Sequence, residues 1–564
     1  MRARLEAVAE ALLLLAVLVA PWMYGGAADA VRYGLAAAVL LAVALSATAR
    51  AFAGAGLPRL GLPAGALVAL GPLQMAVGAT AAPQWTAEAT LVTAAMMGAL
   101  VFWSERARDR AAALRLAVAV LAVCAAEAVF GAVQWSLAPD RIYGQATPIV
   151  TTPFGSYVNH NHFAGLMEMG VVLAIAMAVG LSRRGGATPG VVGLAGLGLG
   201  LAAVHLASRS RGGLIALAAG LLVAGLLWVR TASHREGARV SLVPLVIGGA
   251  AVLAFGIVVV PSDTRAHLGT ILGGRSDASG DYRLDVARDT VRLAAAHPLL
   301  GAGLGAYADA FPAFKTAHGE VRTTHAEDDA LEFVAEAGLA GIAILAWLVF
   351  ASVAGLLDRL RHGHDPFRKS IAVGAAAAVA ALGVHSLFDF NLHLPANALV
   401  CASLAGLAAS PREPARPVGA RRLAIAAAVA VGTLGAGAAW RSAGAVALES
   451  ALRDLDPQVR LAALDPVLGR HPYLADGYYL RGLAWRDLAG GRQELAPPRL
   501  ERSERDLTRA VRLRPAWGEA WADVAWTRWM RGDLAGARTA MDHAIGLDPT
   551  HPHIASARKA MTGR

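Results

Sequence analysis

Gly212-Gly-Leu-Ile-Ala-Leu-Ala-Ala-Gly220-Leu-Leu-Val-Ala-Gly-Leu-Leu-Trp228-Val229 runs for eighteen residues without a charge, bracketed by Arg209 and Arg211 before it and Arg230 after it. A helix needs about 20 apolar residues, rising ~1.5 Å each, to cross the hydrocarbon of a bilayer. A soluble core has no use for repeated runs of this kind. Moving outward from 212–229, stretches of comparable length recur near 6–23, 31–49, 61–80, 89–103, 112–136, 163–181, 190–207, 242–260, 331–357, 371–388, 394–409 and 422–440. About thirteen membrane helices are expected, the fourth and twelfth being short. Composition agrees, with 56% hydrophobic and 16% charged residues in 564 and a mean hydropathy of +0.50. Disordered and fibrous classes are excluded.

The net charge of +10 comes from 51 Lys and Arg against 41 Asp and Glu. Alone it is compatible with a nucleic-acid partner, but the arginines follow the loops. Arg2 and Arg4, Arg50 and Arg59, Arg106 to Arg115, Arg183 and Arg184, Arg230 to Arg239, Arg359 to Lys369, and Arg412 to Arg422 occupy alternate connections. The positive-inside bias assigns these to the cytoplasm, so no nucleic-acid partner is expected. An odd number of spans then sets the tail, 441–564, outside together with 137–162, 208–211, the long loop 261–330 and 389–396. That loop has a helical pattern near 283–296, which predicts a small capping element. Cys124 and Cys401 lie within apolar runs, so no disulfide, redox pair or metal cluster is expected from them. The N-terminus has the look of a signal peptide, but further spans follow at once, and it is read as a first membrane helix.

The tail is rich in Trp and Tyr (Tyr478, Tyr479, Trp485, Trp517, Trp521, Trp526, Trp529) and periodic. Ala510-Val-Arg-Leu-Arg-Pro515 recurs as Ala544-Ile-Gly-Leu-Asp-Pro549 at an offset of 34. Leu461-Ala-Ala-Leu-Asp-Pro466 is read as a third copy, displaced by an insertion around 489–503. Three helix ends closed by Pro predict a helical-repeat domain of the tetratricopeptide kind, which docks and does no chemistry.

Polar groups at helix mouths are costly in a membrane protein and mark candidate sites. In Gly155-Ser-Tyr-Val-Asn159-His-Asn161-His162-Phe-Ala-Gly165, amides and imidazoles stand at a helix start, suited to an anion; the alternative is plain capping by Asn159. Ser208-Arg209-Ser-Arg211-Gly-Gly213 carries two arginines on the side that topology does not favour. Their forks suit pyrophosphate, and snorkelling to lipid phosphates is the alternative. In the long loop, Arg283 and Arg288 precede His297-Pro-Leu-Leu-Gly301-Ala-Gly303-Leu-Gly305-Ala-Tyr307. No strand precedes these glycines, which excludes a dinucleotide turn and favours a tight surface turn. If one helix carries His325, Asp329, Glu332 and Glu336, their spacing puts all four on one face, and a carboxylate one turn from a histidine prepares a general base. His385, Asp389, His393 and Asn397 are spaced by four, but Pro395 and a turn near Asn391 break the helix that a metal reading requires.

These segments together resemble the bacterial O-antigen ligase and polymerase superfamily over roughly residues 150–400. The likeness rests on Asn159 to Gly165, Ser210-Arg211-Gly-Gly, Arg283 ahead of His297 to Tyr307, and His325 to Gly338. Asp389 to Asn397 and the repeat tail resemble a subgroup whose ligase domain is followed by tetratricopeptide repeats. The resemblance implies an all-α fold: a GT-C-like polytopic membrane helix bundle with a C-terminal α-helical repeat domain. Its expected divisions are N-terminal spans in 1–149, a catalytic membrane domain in 150–410 with the loop 261–330, a last span in 411–440 and the outer repeat domain in 441–564.

The resemblance also implies a metal-independent glycosyltransferase of the bacterial inner membrane, without cofactor, moving a glycan from undecaprenyl pyrophosphate to an acceptor hydroxyl. Arg209, Arg211, Arg283 and Arg288 would bind pyrophosphate, with Arg211 and Arg283 foremost. His325 would be the base in a single inverting displacement. Asn159, Asn161, His162, Asp329, Glu336, Asp389 and His393 would support the site. The family pattern has a His directly before an Asn-Asp pair, where this chain has Glu327 before Asp328-Asp329, so the base is His325 or Glu327. The acceptor, whether lipid A core, growing glycan or protein hydroxyl, stays open. A protein partner for the repeats, a protein O-oligosaccharyltransferase, a lipid-linked glycan transporter and a noncatalytic repeat scaffold are the rival readings. A transporter predicts internally repeated bundles with charges at mid-membrane, and none is visible.

Overall fold

The computed structural model describes residues 1–147, 152–186, 188–231, 278–363, 365–410, 420–490 and 496–562. The expected span at 242–260 and the first part of the long loop lie outside these. Of the described residues 79% are helical. Its helices are α1 (Arg2–Val19), α2 (Asp29–Phe52), α3 (Gly61–Ala76), α4 (Pro83–Arg106), α5 (Arg110–Leu137), α6 (His160–Gly185), α7 (Pro189–Ala207), α8 (Arg211–Thr231), α9 (Ala278–Ala296), α10 (Tyr307–Ala310), α11 (Asp329–His362), α12 (Pro366–His385), α13 (Pro395–Ala409) and α14 (Ala420–Ala451). The tail adds α15 (Pro457–Arg470), α16 (Ala475–Ala489), α17 (Ala496–Leu513), α18 (Gly518–Met530), α19 (Leu534–Leu547) and α20 (Pro552–Thr562). Among the described residues the strands form one antiparallel hairpin, Arg141–Ile142 with Gln145–Ala146.

Nine helices among the described residues are long and apolar enough to cross a membrane: α2, α4 to α8, α11, α12 and α14. α3 and α13 are apolar but shorter. α1 carries Arg2, Arg4, Glu6 and Glu10 in its first half. The fold is that of an all-α, multi-pass membrane protein.

The chain divides into two units. The first comprises Met1–Ala66, Val92–Arg275 and Ile344–Gly437. At its centre stands α6, whose apolar window is 83% buried against 22% for α7, and which packs on α5, α7, α8 and α12. Small residues set these approaches: a Cβ at Gly170 would strike Cys124, one at Gly180 Ser370, one at Gly220 Ala381 and one at Gly374 Ala176. Lipid offers no hydrophobic drive between helices, so such van der Waals closeness holds the bundle together. The arginines assigned to one side also meet. Glu10 takes Arg106 at 2.7 Å and Arg115 at 2.6 Å, Glu105 takes Arg50 at 3.1 Å, and Arg368 bonds the carbonyl of Arg108 at 2.6 Å.

The second unit comprises Leu67–Leu91, Ser276–Ala343 and Ala438–Arg564. The described part of the long loop has its own core of Val286, Leu293, Tyr307, Phe311, Ala326 and Ala335, which makes it a folded cap. The tail buries Leu507, Val511, Trp517, Ala520, Met541 and Ala544 between its helices. α17 and α19 end at Leu513 and Leu547, just before Pro515 and Pro549, which keeps the offset of 34. The third copy differs. Pro466 lies inside α15, which continues to Arg470, so Leu461 to Pro466 is not a helix end. The helix tolerates the missing N–H at the loss of one backbone bond.

Candidate functional site

In the second unit α11 begins at Asp329 and not at His325. Asp328 caps it, its Oδ1 accepting the N–H groups of Ala330 and Leu331 at 2.9 Å each. Burial nonetheless pushes the Asp328 carboxyl up from its usual range. Glu327 just before it has φ of +58°, a left-handed conformation that no continuing helix contains. His325, Asp329, Glu332 and Glu336 therefore do not share one helical face, contrary to the spacing argument. The chain instead reverses and returns the imidazole onto α11. His325 Nδ1 lies 3.1 Å from Glu332 Oε1, and the N–H of Ala326 donates to Glu332 Oε2 at 2.7 Å. The carboxylate that orients the histidine is Glu332; Asp329 is the buried first residue of the helix.

Arg283, on α9, meets Glu327 with Nη2 3.4 Å from Oε2, both side chains being partly exposed. Arg288 is 65% exposed and pairs with Asp285 at 3.0 Å. Five residues along a helix is well off the face of Arg283, so the two arginines do not form one fork.

Glu336 is buried and holds the glycine-rich turn. Its Oε2 accepts the N–H of Gly305 at 2.8 Å and its Oε1 that of Tyr307 at 2.9 Å. Its backbone carbonyl takes the amide of Gln74 at 2.8 Å. Gln74, on α3, also donates to the carbonyl of Leu300 at 2.6 Å and accepts from Leu304 N–H at 3.0 Å. Gly301, Gly303 and Gly305 have φ of +74°, +107° and +70°. A Cβ at Gly303 would strike Thr80 and Thr86, so the motif answers a backbone and packing demand.

In the first unit, Asn159 caps α6, accepting the N–H of Asn161 at 2.9 Å. His162 Nε2 lies 3.1 Å from Asp389 Oδ1, both side chains buried. Asn397 joins the two segments: it accepts from Tyr157 OH at 2.9 Å and donates to the carbonyl of His162 at 2.8 Å and to Asn391 Oδ1 at 2.9 Å. The helix break expected at Asn391 to Pro395 is present. His393 closes a 3-10 turn there, between α12 and α13. His385 and Asp389 consequently diverge, His385 Nδ1 reaching Glu168 Oε2 at 3.1 Å. Arg209, with φ of +64°, is an exposed turn residue, and Arg211 opens α8. The turn rests on two histidines, since a Cβ at Gly213 would strike His205 and one at Gly212 would press on His385.

Sequence reasoning passed over Gln74, Glu168, Asp309 and Arg514. Gln74 and Glu168 had a signal, being lone polar residues in apolar runs. The other two had none, because their partners are remote in sequence.

Residues 195–346 match the family model described as O-Antigen ligase. The matched stretch, about a quarter of the chain, contains Arg211, Arg283, His325, Glu332 and Glu336, and it supports the O-antigen ligase and polymerase family. Asn159 to Gly165 and Asp389 to Asn397 lie outside the match. No curated protein matches the chain.

Proposed function

We propose that the protein transfers a glycan from an undecaprenyl-pyrophosphate donor to an acceptor hydroxyl at the periplasmic face of a bacterial inner membrane, as an O-antigen or exopolysaccharide ligase or polymerase. The observation that carries this reading is the His325–Glu332 pair, set in the family segment with Arg283 on the same cap. A carboxylate at Nδ1 keeps the proton there and makes Nε2 the basic nitrogen. His325 takes the acceptor proton as the hydroxyl oxygen bonds to the anomeric carbon. The bond from that carbon to the pyrophosphate oxygen breaks, and undecaprenyl pyrophosphate leaves with inversion.

Arg209, Arg211, Arg283 and Arg288 are assigned to the pyrophosphate, with Arg211 and Arg283 foremost. Arg283 already presents its guanidinium to an anion, the Glu327 carboxylate, and a phosphate oxygen can take that place. Protonating Glu327 would cost that ion pair, which favours His325 as the base. Asn159, Asn161, His162, Asp389 and His393 brace the helix start at α6, and Asp329 and Glu336 brace the cap. The tail is read as a tetratricopeptide-like periplasmic domain. Its offset helix ends support this, as does its bonding to the long loop.

The test is purified protein in nanodiscs with undecaprenyl-pyrophosphate glycan and three acceptors: lipid A core, a lipid-linked glycan and a Ser/Thr peptide. Expected is transfer to one of them, insensitive to EDTA, lost in His325→Ala and retained in Glu327→Gln. No transfer to any acceptor overturns the reading.

A further inference from the structure

Arg514 stands where the repeated motif has Asp548 in its next copy, and its partners lie outside the repeats. The side chain is fully buried, at 0% exposure. Its guanidinium forks onto Asp309 of the long loop, Nη2 to Oδ1 at 2.6 Å and Nε to Oδ2 at 2.8 Å. Nη1 meets Asp476 at 3.0 Å, and Cζ lies 3.9 Å from the centroid of the Trp517 ring and 5.0 Å from that of Trp85. A buried guanidinium holds its place only when paired and bonded in this way, and removing one partner strands the other.

Asp309 belongs to α10, whose first residue, Tyr307, gives its N–H to Glu336 at 2.9 Å and shares a hydroxyl contact with Thr290 at 2.7 Å. Phe311 stacks on Tyr307 at 5.0 Å. Glu336 is one turn along α11 from Glu332, the partner of His325. The tail has further anchors: Arg441 bonds Glu88 at 2.6 Å, the N–H of Ala475 donates to Gln84 at 3.1 Å, and Gly319 backs directly onto the Thr550 carbonyl.

We propose that Arg514 is a positioning residue for glycan transfer: through Asp309 the C-terminal tail acts as a built-in strut that holds the Gly301–Tyr307 turn, and with it His325, in register. This rests on the transferase reading above. A docked tail is then a working part of the cap, and anything that binds the tail and loosens this clamp slows transfer without touching substrate.

Coupling claims need a cycle of substitutions, not adjacency. The variants are Asp309→Asn, Arg514→Gln, the double variant, Arg514→Lys, and Arg481→Gln as a control that breaks tail-internal bonds to Asp506 and Asp465. All are full-length chains in nanodiscs, read by hydrogen exchange of amides 303–316 without substrate and by transfer kinetics. Expected are exchange about tenfold faster or more in each single clamp variant, a fall in kcat larger than any rise in donor KM, a double variant little worse than either single one, partial recovery in Arg514→Lys, and neither change in Arg481→Gln. Unchanged loop exchange in Asp309→Asn and Arg514→Gln, or equal effects in Arg481→Gln, overturns the strut. Faster exchange with unchanged kcat also overturns it. If the wild-type chain transfers to no acceptor, the transferase reading fails, and the exchange data still decide whether the clamp holds the turn.

Discussion

Glu332 holds the His325 imidazole at Nδ1, 3.1 Å away, while its second oxygen takes the N–H of Ala326 at 2.7 Å, so one buried carboxylate fixes both the ring and the backbone beside it. Glu332→Gln keeps the shape and removes the charge that stabilises the imidazolium. A fall in kcat of about 100-fold is expected, within the range that general-base catalysis contributes. Transfer rates at saturating donor check this, and a Glu332→Gln kcat equal to that of the wild type rejects it.

Arg283 and Glu327 form an ion pair at 3.4 Å with both partners reachable by solvent. Arg283→Ala should raise the donor KM by about 10- to 100-fold, the equivalent of ~1.5 to 3 kcal/mol for hydrogen bonds to a charged group. Arg283→Lys keeps the charge but not the fork, and recovers only part. Glu327→Gln releases the guanidinium and should lower the donor KM or leave it unchanged. A Glu327→Gln variant with kcat as low as that of His325→Ala would move the base to Glu327.

The glycine-rich turn permits a clean comparison. Gly301 and Gly54 both have positive φ, +74° and +61°, but a Cβ at Gly301 would strike the Glu336 backbone, whereas at Gly54 nothing stands within 4 Å. Gly54→Ala should therefore cost only the conformational strain, about 1 kcal/mol. Gly301→Ala must displace α11 and should cost about 3 kcal/mol or more. Thermal stability followed by size-exclusion chromatography separates the two. Equal losses would mean that the turn yields and the contact does not matter.

The spans were legible because lipid leaves a backbone no partner but itself, so each crossing needs a long apolar helix. Gly212 to Val229 thus lies within a helix that runs from Arg211 to Thr231. Part of the candidate site was equally visible, since His325, Arg283 and Glu327 stand out as polar residues in a long loop between apolar runs. The partner of the histidine was misread, because the four-three-four spacing assumes an unbroken helix and Glu327 in a left-handed conformation breaks it. Nothing in the identity of a Glu announces that conformation. Arg514 and Asp309 are 205 residues apart, and their pairing exists only once the cap and the tail have folded. Pro466 misled in the opposite sense: a proline after Leu-Asp closes α19 but is absorbed within α15.

The tail carries its own pH dependence. His553 Nε2 lies 3.8 Å from Asp523 Oδ1, and Asp523 also takes Arg486 at 2.6 Å and the hydroxyl of Tyr479 at 2.7 Å. The Asp523 carboxylate beside it raises the His553 pKa above its ordinary value. Burial alone would push the Asp523 carboxyl up, but its polar neighbours, His553 first and then Arg486 and Tyr479, outweigh it and hold the carboxyl below the usual range. For His553, raised in the folded state, the stabilisation is complete below the unfolded value of about 6.5 and fades as pH rises through the folded one. For Asp523, lowered in the folded state, it is present above about 4 and fades only as pH falls through the folded value. Resistance of α18 to α20 to proteolysis in the full chain should therefore decline between pH 6 and 8 in the wild type. His553→Gln, compared with the wild type at each pH to cancel the protease's own dependence, should flatten that decline and also weaken the acid-side loss, which Arg486 and Tyr479 alone then sustain. Parallel curves for the two chains across pH 6 to 8 would show that His553 contributes nothing to the tail.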